Sequence, residues 1–161
     1  MFSAQEIFDL AIQIEENGEA YYREAFQVVG DSSIKQLLQW LAEEEVRHRK
    51  YFLDLKMAAK PGGGADWAER VSGAFLQSAV SDHAFSLDDI DFSTIHNAKE
   101  LLRIAIGFEE DSLVFYEILQ SFVTEPDIAG HVREILKEEK RHIELIEERI
   151  RETVPPCDSK N

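Results

Sequence analysis

Apolar residues recur along most of the chain in steps that alternate between four and three residues. This spacing lines one face of an α-helix with apolar side chains and is typical of helices that pack together in bundles. The pattern predicts an all-α fold with four long helices, over about residues 3–29, 33–59, 94–123 and 126–153. Residues 60–93 would then form a long connection, and residues 154–161 a C-terminal tail.

Local signals mark the ends of these predicted helices. Ser3 and Glu6 have the spacing of a capping box, which opens a helix. The glycines of residues 62–64 end the second helix. Pro126 suits the first turn of the fourth helix, and Pro155 stops that helix, because proline lacks a backbone N–H donor.

The lengths of the connections predict how the helices are joined. Short links within each half imply two antiparallel hairpins. The connection over residues 60–93 can run along a whole helix, about 40 Å at about 1.5 Å per residue, and a short helix is predicted near residues 67–80. Two hairpins joined by a long crossover give the ferritin-like four-helix bundle, and we expect residues 1–161 to form a single domain.

Each of the four apolar seams is interrupted near its middle by polar residues. Neighbouring acids such as Glu16, Glu44 and Glu138 stand off the seam and should face outward. The seams therefore predict a polar layer at half height in the bundle. Its members are Glu15, Glu45, His48, Glu109, Glu139 and His142.

The two halves of the chain repeat one another at these positions. Each central residue of the first half recurs 94 positions later, as Glu45 does in Glu139. Tyr22 and Tyr116 follow the same offset; each would either pack in the core or donate its hydroxyl to a ligand carboxylate. A Glu and a His three residues apart lie on one side of a helix and can reach one ion. The duplicated Glu-x-x-His therefore predicts two half-sites of one metal centre.

The charge of this layer also points to metal. Four carboxylates in an apolar core lose hydration and repel one another, and no Lys or Arg occupies the seams to pair with them. Two divalent cations would balance the four negative charges. Carboxylate and imidazole donors favour iron or manganese, and the absence of thiolates disfavours structural zinc. The alternative is a metal-free bundle with a buried polar network.

Composition narrows the function further. The 161 residues include 32 acidic and 17 basic side chains, a net charge of −15, which disfavours nucleic acid and anionic membranes as partners. Glu6 and Asp9 stand where a signal peptide would be basic, so we expect a cytoplasmic protein. The single cysteine, Cys157, excludes an internal disulfide and a four-cysteine iron site within these residues.

The sequence resembles the rubrerythrin branch of the ferritin-like superfamily over residues 3–153. The segments that carry the resemblance are Ile14–Tyr22, Ala42–His48, Glu109 to Tyr116 and Glu139–His142. A lone Glu-x-x-His is a weak motif. Two copies, each preceded at the same distance by Glu-x6-Tyr, form a specific one.

The resemblance implies a centre of two iron ions, Fe²⁺ or Fe³⁺, for which manganese or zinc could substitute. It implies that Glu45 and Glu139 bridge the two irons. The terminal carboxylates would be Glu15 and Glu109, and each iron would take one histidine, His48 or His142.

The resemblance also implies a function, the reduction of hydrogen peroxide or O₂ in oxidative-stress defence or as a ferroxidase. Full-length rubrerythrins add a rubredoxin domain with two Cys-x-x-Cys motifs, which these residues lack, so the electron donor would be a separate rubredoxin-like protein. Ser112 stands where rubrerythrins carry an additional glutamate. A homodimer is expected. The alternatives are a non-catalytic iron-binding or storage protein and a metal-free structural bundle.

Several other residues have weaker interpretations. Gly18 and its repeat mate Ser112 would either leave room beside the metals or permit close helix packing. Trp40 is expected to pack in the fold or at an interface. Trp67 has the same expected role. His83, His96 and His131 lack matched repeat mates and are expected to be ordinary surface or capping histidines, and Cys157 in the tail is expected to be incidental.

Overall fold

The computed structural model describes residues 3–59, 90–95 and 97–153. These residues form four long helices, and the described segments contain no strand, which confirms the all-α class. The helices are α1 (Ala4–Val28), α2 (Ser32–Ala58), α3 (Ala98–Phe122) and α4 (Pro126–Thr153). The predicted short helix near residues 67–80 and the predicted tail over residues 154–161 lie outside the described residues.

Side-chain caps fix where the helices begin. Ser3 and Glu6 form the predicted capping box, in which Ser3 Oγ accepts from the Glu6 amide and Glu6 Oε2 accepts from the Ser3 amide. Asp31 caps α2 through the amides of its first turn. The third helix begins later than the predicted residue 94, because Phe92–Thr94 form a separate 3₁₀ turn and Asn97 caps α3.

The helices pair as two antiparallel hairpins, α1 with α2 and α3 with α4. At the open end of the first hairpin, Gln5 Nε2 donates to the Ala59 carbonyl oxygen at 3.2 Å. The apolar core consists of two clusters, one on each side of the polar residues at mid-height. One contains Phe8 and Phe52, and the other contains Leu38 and Leu102. Burial of these clusters positions the polar layer between them.

The outer faces of the helices carry charged residues in ion pairs. Arg141 Nη1 lies 3.2 Å from Glu144 Oε2, and Lys137 Nζ lies 2.7 Å from Glu134 Oε1. Exposed pairs of this kind add at most about 1 kcal/mol each, so the stability of the bundle comes mainly from its core. Within the described ranges, no helix combines the length and apolar content that crossing a bilayer requires.

Candidate metal centre

The polar layer brings together all six residues that the seams place inside the bundle. Each is at most 2% exposed. Their ligand atoms form two overlapping groups, in each of which the atoms lie within 4.8 Å of one another. The first group contains Glu15, His48 and Glu139, and the second contains Glu45, Glu109, Glu139 and His142. Glu139 belongs to both groups, as a carboxylate that bridges two ions would.

The two histidines present the same ring nitrogen to the carboxylates. His48 Nδ1 lies 2.9 Å from Glu139 Oε1 and 3.5 Å from Glu15 Oε2. His142 Nδ1 lies 3.4 Å from Glu139 Oε2 and 3.5 Å from Glu109 Oε2. The two rings stack with centroids 5.7 Å apart. The duplicated sequence therefore gives two similar half-sites on either side of Glu139.

Many polar atoms of this layer are buried without a hydrogen-bond partner among the described residues. They are Glu15 Oε2, Glu45 Oε1, Glu109 Oε2, both carboxylate oxygens of Glu139, Nδ1 of both histidines and Nε2 of His142. Buried polar atoms in folded proteins are nearly always satisfied, so a cluster of unpartnered ligand atoms points to a bound group. Carboxylate oxygens and imidazole nitrogens are all ligand atoms, so the residues fit a pair of divalent metal ions.

Without metal, the layer holds protons. Burial raises the pKa of Glu109 to about 8, and the charge of Glu139 adds to the effect. Burial, followed by the charges of neighbouring carboxylates such as Glu15, raises the pKa of Glu45 well above its ordinary value. Burial lowers the pKa of His142, but its contacts with Glu109 and Glu139 outweigh burial and raise the pKa to about 10. Divalent ions would displace these protons on binding.

Two buried tyrosines orient the carboxylates across the bundle. The Tyr22 hydroxyl of α1 donates to Glu109 Oε1 of α3, and the Tyr116 hydroxyl of α3 donates to Glu15 Oε1 of α1. Each bond occupies one oxygen of the carboxylate. The other oxygen, Oε2, faces a histidine Nδ1. Of the two roles that the sequence allowed for these tyrosines, core packing or donation to a ligand carboxylate, the structure shows donation.

One acid expected to face outward also reaches the layer. Glu138 is partly exposed, as expected, but its Oε2 lies 2.7 Å from His48 Nε2, a contact that the sequence did not predict. Its repeat mate Glu44 approaches His142 Nε2 only to 3.9 Å. The position of a residue relative to the seam predicts which face of its helix carries it. A long side chain at the border of the seam can nevertheless reach across to a neighbouring helix. The sequence did offer one signal for a role of Glu138, because Glu138 repeats Glu44 at the same offset of 94 residues that relates the predicted ligands.

Gly18 serves close packing in the layer. A Cβ at this position would lie 2.6 Å from Glu45 Oε2 and 2.8 Å from Phe108 Cε1. The absence of a side chain lets the Glu45 carboxylate approach α1. Its repeat mate Ser112 is buried, and the Ser112 hydroxyl donates to the Phe108 carbonyl oxygen at 3.0 Å, within its own helix.

The remaining candidates divide between the surface and the undescribed residues. Trp40 is 37% exposed, and its ring lies nearly perpendicular to that of His142, with centroids 5.3 Å apart. His131 is exposed and stacks on Tyr51. The others lie outside the described residues: His83, His96, Trp67 and Cys157.

Comparisons with known proteins agree with this geometry. The sequence profile of the family described as Rubrerythrin matches residues 6–150. Among solved structures, a ferritin-like diiron-carboxylate protein from Thermotoga maritima is similar, with a TM-score of 0.72 and 27% sequence identity over 95% of this chain and 97% of that chain. Curated protein sequences give no match. The structural match confirms the predicted ferritin-like bundle.

Proposed function

The chain belongs to the rubrerythrin family, and we propose that it is a di-iron oxidoreductase that reduces hydrogen peroxide or O₂ at the buried layer. The observation that carries the proposal is the set of buried, unpartnered ligand atoms in two groups that share Glu139. In this proposal Glu15, His48 and Glu139 would hold one ion, and Glu45, Glu109, Glu139 and His142 would hold the other. Glu139 would be shared between the two ions, as the resemblance also implies for Glu45.

Iron is the metal we propose. Mixed carboxylate and imidazole donors suit a metal that alternates between two oxidation states, and the similar protein from Thermotoga maritima is described as a diiron-carboxylate protein. Manganese and zinc accept the same donors and could occupy the positions as substitutes. Because a redox reaction needs a metal that changes valence, a zinc-loaded protein would be inactive.

Two ferrous ions would supply the two electrons that, with two protons, convert one hydrogen peroxide into two water molecules. The chain supplies the geometry and the surroundings. Burial and the charge of Glu109 raise the pKa of Tyr22 well above its ordinary value, so its hydroxyl stays protonated and keeps donating to that carboxylate. The two apolar clusters above and below the layer exclude bulk water.

The electrons that return the centre to its reduced state would come from a separate donor. The only cysteine in these 161 residues is Cys157, so the sequence cannot form a four-cysteine iron site by itself. We propose a rubredoxin-like protein as the donor. Assembly into a homodimer also stays a prediction.

Ser112 bears on the choice of oxidant. A serine has no carboxylate to offer a metal, and the Ser112 hydroxyl already donates to a carbonyl oxygen within α3. The glutamate that rubrerythrins carry there is associated with turnover of peroxide. We therefore propose O₂ as an alternative oxidant to hydrogen peroxide. Oxidation of iron by O₂ would make the protein a ferroxidase.

Rapid mixing tests the proposal. Protein loaded anaerobically with Fe²⁺ is mixed with hydrogen peroxide and, separately, with O₂, and oxidation is followed by absorbance. We expect at least one of the two oxidants to oxidise the bound iron far faster than it oxidises free Fe²⁺. With hydrogen peroxide, two irons should be oxidised for each peroxide consumed. If neither oxidant accelerates iron oxidation, the enzyme proposal fails, and passive iron binding, which the acidic net charge of −15 also favours, takes its place.

A further inference from the structure

The two histidines of the centre differ in what holds their outer nitrogens. His48 Nε2 lies 2.7 Å from Glu138 Oε2, a carboxylate from the neighbouring hairpin. Glu138 is in turn held by Arg47, whose Nη2 lies 3.0 Å from Oε2 and whose Nη1 lies 3.3 Å from Oε1. His48 is therefore held at Nε2 by Glu138, while its Nδ1 faces the carboxylate layer without a hydrogen-bond partner among the described residues.

The second half of the repeat does not reproduce this contact. Glu44 Oε2 stops 3.9 Å from His142 Nε2, beyond hydrogen-bond distance, and Nε2 has no partner among the described residues. Arg47 binds the Glu44 carboxylate instead. The Trp40 ring packs against the His142 ring in a T-shaped arrangement. A carboxylate thus holds the outer nitrogen of His48, whereas ring packing alone contacts that side of His142.

Arg47 and its repeat mate in the second half of the chain have different partners. The repeat mate, Arg141, pairs with Glu144 on its own helix at 3.2 Å. Arg47, in contrast, donates to the carboxylates of both Glu44 and Glu138, close to His48. Ligand atoms of Glu44, His48 and Glu138 do lie within 4.8 Å of one another, but the Arg47 guanidinium contacts both carboxylates and offsets one of their two negative charges. We therefore assign this cluster to the support of His48 and not to a third metal position.

We propose that Glu138, held by Arg47, is a positioning residue that acts only on the His48 half of the centre. A carboxylate that accepts from Nε2–H fixes the tautomer with a free lone pair on Nδ1 and fixes the plane of the ring. The proposal rests on the proposed metal site. It follows that the two metal positions, although built from a duplicated motif, are chemically unequal, with a carboxylate-supported histidine at one and an unsupported histidine at the other.

Matched variants from the two halves test this inference with Zn²⁺, a diamagnetic probe. Stepwise affinities are measured by calorimetry for the wild type, Glu138→Ala and Glu44→Ala. Outer-shell partners of this kind are worth about 10–100-fold in metal affinity. We expect Glu138→Ala to weaken one of the two binding steps by about that factor and to leave the other within about threefold, and Glu44→Ala to shift neither step by more than about threefold.

A conservative variant and a spectroscopic readout separate positioning from general stability. Glu138→Gln keeps an acceptor oxygen and should recover most of the lost affinity. In zinc-loaded, ¹⁵N-labelled protein, the His48 Nε2–H proton should resonate downfield and exchange slowly, and Glu138→Ala should abolish that signal while Glu44→Ala preserves it. Equal effects of the two alanine variants, or a Gln variant as weak as Ala, would overturn the inference. Failure of the wild type to bind Zn²⁺ would instead contradict the metal site itself.

Discussion

Tyr22 in the first hairpin donates its hydroxyl hydrogen to Glu109 in the second, and the duplication returns the same contact from Tyr116 to Glu15. Each hairpin therefore orients one carboxylate of the other. The hydroxyl contact is absent from an isolated hairpin, so the metal layer is complete only when the two hairpins dock. This reciprocity connects the folding of the bundle to the geometry of its centre.

Replacing Tyr22 with phenylalanine should weaken metal binding more than it weakens the fold. The variant leaves Glu109 Oε1 without its donor, so the carboxylate is free to rotate away from the metal. Loss of such a partner costs about 10–100-fold in affinity. Anaerobic titration with Fe²⁺ measures the effect.

Tyr21→Phe is the matched control. Tyr21 is buried on the same helix, and its hydroxyl donates to the Leu101 carbonyl oxygen at 2.6 Å, away from the ligands. Its loss should cost about 1–3 kcal/mol in the free energy of unfolding, because a buried carbonyl loses its donor, and should leave iron affinity unchanged. Equal losses of iron affinity in the two variants would contradict a specific role for Tyr22.

Gly18→Ala should disturb the site from the opposite side. The new methyl group would meet the Glu45 carboxylate and the Phe108 ring at contact distances below 3 Å. Crowding of this kind costs about 1–3 kcal/mol, which exceeds the helix-propensity gain of up to about 1 kcal/mol. We expect lower stability in urea denaturation and weaker metal binding, because Glu45 must move.

Gly130→Ala provides the comparison for that variant. Gly130 lies in α4, and a Cβ there would meet nothing within 4 Å. This substitution should raise the free energy of unfolding by up to about 1 kcal/mol and leave metal affinity as in the wild type. If Gly18→Ala behaved like Gly130→Ala, close approach of Glu45 to α1 would not be the reason for glycine at position 18.

The metal-free protein should lose stability as pH rises. Glu109, with a pKa of about 8 against an ordinary 4.5, and His142, with a pKa of about 10 against 6.5, hold protons in the folded state that the unfolded chain releases. Their stabilisation is complete below the unfolded values and is lost as pH rises through the folded ones. Glu109 therefore lowers the melting temperature of the metal-free protein between about pH 4.5 and 8, and His142 lowers it between about pH 6.5 and 10.

Metal loading should reverse this trend. Ions that replace the protons bind more tightly as pH rises, so the increase in melting temperature on loading should grow over the same window. Thermal unfolding of metal-free and zinc-loaded protein at several pH values checks both statements. A metal-free melting temperature that rises between pH 6.5 and 9 would contradict the proton-holding layer.

The sequence predicts the bundle and the inward residues well, because burial along a helix follows the seven-residue period. Glu45 could be separated from its neighbours Glu43 and Glu44 by that period alone. The contact of Glu138 with His48 could not, since it depends on how far a flexible side chain reaches across to another helix. The pairing of Tyr22 with Glu109 likewise depends on the rotation of the two hairpins about each other. Period and spacing carry no information on that rotation.

Anaerobic titration with Fe²⁺ tests the two-metal centre most directly. We expect saturation at two irons per chain. Uptake should be abolished in Glu45→Ala, which removes a buried ligand, and preserved at two irons in Glu44→Ala, because the Glu44 carboxylate pairs with Arg47. No iron binding in the wild type, or equal losses in the two variants, would contradict it.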